Sequence, residues 1–321
     1  MELNELDYRL LEYLYHNHNE PFSKIAKSTK LSRDQVEYRV NKYLKEGIIR
    51  KFFSIFNYNK LGYRLFVNLF LKFEKPRMAE DFSKNLFKNK NCISYGKVYG
   101  RYDIFLNAVF KDDAELNIFL SNLFEDENYV LVDYLLIKPS LIELYPLKFI
   151  NSYKKEDYSL IFNDESKVSL DYLDIKILKI LAENGRERLI DLALKTKASS
   201  DVVLYRLKRL KSNKIILGNR IQFNMSLLGY FYTILMINFR NFSIKNKEKI
   251  RAHVKNSKCT NSIIFNLQKP NSIIQLFHKE IKEVRDEVEK MKDLFGDSLI
   301  DIDILQIGDD EIEIRPLPFL D

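Results

Sequence analysis

Cysteine is almost missing from this chain: Cys92 and Cys259 are the only two in 321 residues. Two are too few for a disulfide framework, so a reduced, cytoplasmic protein is expected. No apolar run reaches the roughly 18 residues that would suggest a bilayer span, so no membrane partner is expected. The opening Met1-Glu2-Leu3-Asn4-Glu5 is acidic and lacks the basic start and apolar middle of a signal peptide. Histidine is scarce as well. His16 and His18 lie close together, but no third ligand is near them in sequence, and a solvated helix end is the expected reading, with no metal. Glycine-rich phosphate loops and nucleophile–base patterns are also missing, so no catalytic residue and no cofactor is expected. The 19 Tyr and 23 Phe are spread through the apolar segments, as core residues would be.

What the chain does have is one stretch stated twice. Residues 31–49 read as a surface helix entered through Ser32, supported by Gln35 three positions on as a capping box, and left through Gly47. Val36, Val40 and Tyr43 fall on one face at helical spacing. Residues 198–216 repeat the pattern 167 positions later, with Tyr205-Arg206 opposite Tyr38-Arg39 and Ile215-Ile216 opposite Ile48-Ile49. Leu173-Asp174 repeats Leu6-Asp7, Leu228-Gly229-Tyr230 repeats Leu61-Gly62-Tyr63, and Cys259 stands opposite Cys92. By the C-terminus the separation is 170, where Arg315-Pro316-Leu317-Pro318-Phe319 faces Tyr145-Pro146-Leu147-Lys148-Phe149.

Charge follows the repeat. Residues 23–51 hold nine Lys/Arg against three Asp/Glu, and 190–218 hold seven against two, whereas 280–321 hold five against fourteen. Two matched basic stretches point to a polyanionic partner, first of all double-stranded DNA.

Along each copy, two short helices precede the capped third, which makes a helix-turn-helix, and residues 48–57 read as a β-wing. Strands are expected at 65–73, 92–99, 102–110 and 129–137, with helices at 77–87 and from Asp112 or Asp113 to Phe124. An edge strand is expected within 141–149. The fold class is therefore α+β: two copies of a winged helix-turn-helix (1–60 and 168–227), each followed by a ferredoxin-like βαββαβ domain (61–150 and 228–321). The polar stretch 151–167 reads as a linker.

These features, together with Gly100-Arg101-Tyr102-Asp103 between two strands, resemble the Lrp/AsnC (leucine-responsive) family of transcription regulators, which join a winged helix-turn-helix to an effector-binding RAM domain. The resemblance covers nearly the whole chain, twice. It implies that the third helix of each copy enters the DNA major groove. In the first copy Ser32, Arg33, Asp34, Glu37, Tyr38, Arg39, Asn41 and Lys42 would then face DNA. In the second they would be Ser199, Ser200, Asp201, Leu204, Tyr205, Arg206, Lys208 and Arg209. For Arg39 and Arg206 a phosphate contact and an internal ion pair are both open. The resemblance also implies an effector site, for a small molecule such as an amino acid, at Gly100, Tyr102 and Asp103. The second copy reads Leu267-Gln268-Lys269-Pro270 there and is expected to have lost it. The implied function is a sequence-specific DNA-binding transcription regulator acting as a covalent pseudo-dimer, with further self-association open. Two alternatives stand beside it. One is an enzyme resembling the sirohaem decarboxylases, although 94–99 lacks histidine; the other is a metabolite-sensing scaffold that does not bind DNA.

Overall fold

A computed structural model describes residues 3–86, 88–126, 128–148, 158–161, 168–308 and 313–320. The first copy opens with helices α1 (Glu5–Asn17), α2 (Phe22–Thr29) and α3 (Arg33–Lys45) and strand β1 (Ile49–Phe56). Then follow β2 (Leu65–Phe73), α4 (Pro76–Leu86), β3 (Cys92–Tyr99), β4 (Ile104–Phe110), α5 (Asp113–Glu125), β5 (Leu131–Ile137) and β6 (Leu141–Leu144). Of the expected linker only β7 (Tyr158–Ile161) is described; it pairs with β6, and the remainder lies outside the described residues. The second copy runs α6 (Tyr172–Glu183), α7 (Leu189–Thr196), α8 (Ser200–Ser212), β8 (Ile216–Phe223), β9 (Phe231–Phe239), α9 (Ile244–Asn256), β10 (Thr260–Phe265), β11 (Ser272–His278), α10 (Ile281–Phe295), β12 (Leu299–Ile307) and β13 (Glu313–Ile314).

Short polar side chains start the helices where expected. Ser32 accepts from the Gln35 backbone while the Gln35 side chain returns to Ser32, and Asn4 with Asp7 and Asp171 with Asp174 do the same for α1 and α6. Gly47 leaves α3 at φ +74°, in the left-handed region that favours glycine. Its counterpart is Lys214, held at φ +55°. Lys214→Gly is therefore expected to raise stability by about 1 kcal/mol; a denaturation midpoint that stays put or falls would refute this.

The ferredoxin-like parts join edge to edge. The strand order is β5-β2-β4-β3-β12-β9-β11-β10-β6-β7 within an eleven-stranded sheet, with β13 pairing β3 from off this path. The expected edge strand within 141–149 forms as β6, but it pairs with β10 of the other copy, and β13 likewise pairs with β3. The exchange gives the open edge strand of each sheet a partner. Helices α4 and α5 cover one face of the first sheet through Phe82, Leu86, Leu116 and Leu123. Helices α9 and α10 cover the second through Ile250, Val254, Val284 and Met291.

The expected β-wing is a single strand rather than a hairpin. Asn57-Tyr58-Asn59 leads into a 3-10 turn at Asn59–Leu61 and on to the sheet, so β1 has no partner in its own copy and pairs antiparallel with β8. The register sets Phe53 against Arg220. These are equivalent positions, so the ribbon is centred on a pseudo-twofold axis. The two helical heads cross over as well. The core of α1–α3 includes Ile221, Phe223 and Met225 of the second copy. The core of α6–α8 is continuous with Phe56, Phe66 and Phe70 of the first.

The strand ladders also correct the alignment of the two copies. Leu65 pairs with Phe110 and Phe231 with His278, so β2 matches β9 at a separation of 166 and β4 matches β11 at 168. Cys92 pairs with Ala108 as Thr260 pairs with Leu276. The counterpart of Cys92 is thus Thr260, not Cys259. One residue fewer between Gly229 and β9, followed by two more between β9 and β10, shifts the register first one way and then the other, which a constant spacing conceals.

Candidate nucleic-acid interface

The third helix of each head is held by one buried carboxylate. Asp7, on α1, is 3% exposed. It takes a hydrogen bond from the Tyr43 hydroxyl at 2.6 Å and an ion pair from Arg39, both on α3. Burial opposes the Asp7 charge, but Tyr43, the Asn4 backbone N–H and Arg39 outweigh it and hold the carboxyl below its ordinary range. Burial and the neighbouring Asp7 push the Tyr43 hydroxyl well above its ordinary value, so it stays a donor. In the second head Asp174 is fully buried. Arg206 Nη1 lies 3.3 Å from it and Arg209 also reaches it, while Arg206 touches Asp171 at 2.5 Å. The repeated Leu-Asp and Tyr-Arg signatures are therefore the two ends of one clamp between the first and third helices. Of the two readings left open for Arg39 and Arg206, the geometry is the internal ion pair. Arg209, expected to face DNA, is drawn into the same clamp.

The other expected contacts divide by exposure. Arg33, Asp34, Tyr38 and Asn41 stand out from α3, and Ser200, Asp201, Leu204, Tyr205 and Lys208 from α8. Glu37 and Lys42 are half-buried. Tyr38 and Tyr205 occupy equivalent positions and are 68% and 64% exposed. Ser32 and Ser199 are also exposed, yet their hydroxyls cap their own helices. Arg33 approaches Glu37 at 3.9 Å, one turn along. The two helices thus share a frame and differ on their outer faces, with Glu37 opposite Leu204 and Asn41 opposite Lys208.

Two cross-copy residues went unnoticed in the sequence. The Gly185 backbone N–H donates to the Phe52 carbonyl at 2.9 Å, and a Cβ at Gly185 would lie 2.7 Å from the Phe53 backbone. Beside it, the Arg186 guanidinium sits 4.1 Å above the Phe22 ring, and burial pushes its pKa down to about 10. Between two helices these residues read as an ordinary turn; only the opposing backbone gives them meaning. His18, the counterpart of Gly185, is not solvated as expected. It is 2% exposed and packs on Phe52.

The expected effector residues serve the fold. Tyr102 is buried against Phe70. Gly100 has φ +133°, and a Cβ there would meet Leu305 at 3.3 Å. Asp103 binds Lys72 Nζ at 2.6 Å and the Phe73 N–H at 2.8 Å. With the corrected register its counterpart is Asn271, whose Oδ1 takes the equivalent Phe239 N–H at 2.8 Å. The second copy therefore keeps this strand-end cap in amide form.

A cavity of about 320 Å³ lies between the β1–β8 ribbon and the inner face of the sheet, lined from both copies. Among the described residues no cluster of His, Cys, Asp and Glu is suited to a metal ion, and no helix is long and apolar enough to cross a membrane.

Two clamped three-helix heads on a shared ribbon and sheet define a duplicated winged helix-turn-helix protein. The winged helix-turn-helix DNA-binding family model matches residues 3–50 and again 170–216. The HTH-type transcriptional regulator FL11 of Pyrococcus abyssi is 31% identical over 120 residues, covering 37% of this chain and 79% of the relative. An uncharacterized HTH-type transcriptional regulator of Pyrococcus furiosus, PF1231, is 33% identical over 118 residues, with 37% and 79% covered. The chain belongs to this family of helix-turn-helix transcriptional regulators, the Lrp/AsnC type that its sequence resembles. Over its full length the fold is similar to that of the siroheme decarboxylase NirDL, with TM-score 0.65, 14% identity, and 99% of this chain and 96% of that one covered.

Proposed function

We propose that the chain binds double-stranded DNA as a covalent pseudo-dimer and reads two unlike half-sites. The observation that carries this reading is the β1–β8 ribbon, which joins two recognition heads about equivalent positions, Phe53 and Arg220, while their helices present different side chains. A helix of this exposure fits the major groove, where residues early in it reach base edges. Fusion allows each head to diverge without breaking the symmetry of a homodimer.

The fold shared with the decarboxylase gives an enzymatic reading a hearing, and two features weigh against it. The described lining of the central cavity has Arg50 and Arg220 but no histidine. Its volume of about 320 Å³ is also small for a macrocycle of the kind named in that enzyme's complex with an iron-uroporphyrin III analogue. The proposed activity is therefore regulatory rather than catalytic. The effector reading at Gly100, Tyr102 and Asp103 draws no support from side chains already used in packing and capping.

Selection from a random duplex library tests the proposal. The expected product is a site with two non-identical half-sites. Recovery of perfect palindromes alone would overturn the division between the heads, and no enrichment would overturn DNA recognition.

A further inference from the structure

At one corner beside the ribbon the second head reaches across to the first. The turn between α6 and α7 carries Gly185 and Arg186 there. The Arg186 guanidinium lies 4.1 Å from the Phe22 ring, at the start of α2, and 5.8 Å from the Phe52 ring on β1. Its Nη2 donates to the Glu20 carbonyl at 3.4 Å. The neighbouring Gly185 N–H bonds the Phe52 carbonyl, so the turn sits directly on the ribbon.

The pseudo-equivalent corner lacks these parts. The separation of 167 holds through both heads, so the counterpart of Arg186 is Asn19, that of Phe22 is Leu189, and that of Phe52 is Asn219. Asn19 is exposed. These three residues supply neither a cation nor a ring, so the stack ties the heads on one side of the pseudo-twofold axis only.

Holding Arg186 here is costly. Among the described residues no carboxylate forms an ion pair with it, and Glu37 offsets only part of its desolvation. A guanidinium suits such a place because it is planar, weakly hydrated and stacks on rings. Around the stack the heads stand apart. A cleft of about 1110 Å³ separates α3 from the start of α7, and Arg33, Glu37 and Asn41 of the recognition helix line it together with Arg186. The stack therefore bridges a gap whose far wall is the recognition helix of the other head.

We infer that Arg186 is a positioning residue for DNA recognition. By holding the second head against the first, it fixes the separation and relative angle of the two recognition helices, and with them the spacing between half-sites. This rests on the DNA-binding reading; Arg186 acts through the heads rather than on the duplex.

The test uses duplexes that carry the selected half-sites at the selected spacing, and others lengthened or shortened by two base pairs. Two base pairs turn one half-site by about 70° against the other. The parent chain is expected to favour the selected spacing roughly tenfold or more. Arg186→Ala should lose most of that preference, while its affinity for a duplex bearing a single half-site stays that of the parent. Arg186→Lys keeps the charge but not the flat stacking surface and should show an intermediate loss. Hydrogen exchange gives a readout without DNA. The Gly185 amide should exchange faster in Arg186→Ala, while the amides of α1, α3, α6 and α8 keep their protection. An unchanged spacing preference in Arg186→Ala would overturn the inference, and so would an unchanged Gly185 amide. Weaker binding to the single half-site together with lost helix protection would assign Arg186 to folding and overturn it as well. A parent chain that bound no duplex would sink the proposed function itself and this inference with it, a result distinct from the others.

Discussion

Asp174→Ala should destabilise the second helical head by about 3–5 kcal/mol, the range for a buried ion pair that loses one partner. Asp174 is fully buried and takes contacts from Arg206 and Arg209. The side chains of these arginines are only 21% and 32% exposed, so removing the carboxylate strands the partly desolvated Arg209 and leaves Arg206 with Asp171 alone. Arg209 Nε is already buried without a partner, which leaves little slack. The carboxylate also closes the capping box of α6, a further loss of about 1 kcal/mol. Hydrogen exchange resolves the effect by region, which a single melting point in a chain of several parts does not. Amides of α6 and α8 should lose protection, while those of α1 and α3 in the other head keep theirs. Asp7→Ala should act in the same direction on the first head but less strongly, because Asp7 holds one arginine where Asp174 holds two, and its second partner, Tyr43, is neutral at pH 7. Unchanged protection of α6 and α8 in Asp174→Ala would show that the clamp does not hold this head together.

The clamp also shows how far the sequence could be read. The duplication, the capped third helices and the two-faced strands were all legible, because local periodicity and capping chemistry dictate them. Asp7 and Arg39 stood out as repeated residues. Their partnership did not, since an ion pair between the first and third helices has no signature in spacing. For the same reason Arg209 read as a DNA contact. Asp103 read as an effector ligand because its duty, capping the Phe73 N–H, belongs to a strand 30 residues away. The copy-to-copy register failed for another reason. Constant spacing held through the helical heads, but one residue fewer before β9 and two more between β9 and β10 moved the sheet's side chains relative to that count. The cavity was hidden altogether, since it arises where the sheet of each copy meets a ribbon made by both.

Binding to duplex DNA should fall by about 10³-fold or more between 50 and 200 mM salt, as expected where six or more phosphates are neutralised. The exposed cations near the heads can supply that number: Lys27, Lys30 and Arg33 in the first copy, and Lys197, Lys208 and Lys211 in the second. Individual substitutions should then separate three roles. Lys208→Ala, at an exposed position late in α8, should weaken all sequences alike and reduce the salt slope by about 1. Arg33→Ala, in the first turn of α3, should instead relax preference at one half-site, at a cost of about 1–3 kcal/mol in discrimination. Arg209→Ala should reduce binding only through the folding of its head and leave the slope unchanged, because its guanidinium is committed to Asp174. Titrations of each variant at four salt concentrations, against the selected site and a scrambled duplex, provide the measurement. A flat salt dependence in the parent chain would remove phosphate contacts from the account and favour a scaffold that does not bind DNA. A lowered slope in Arg209→Ala would show that this arginine leaves its clamp to reach the backbone of the duplex.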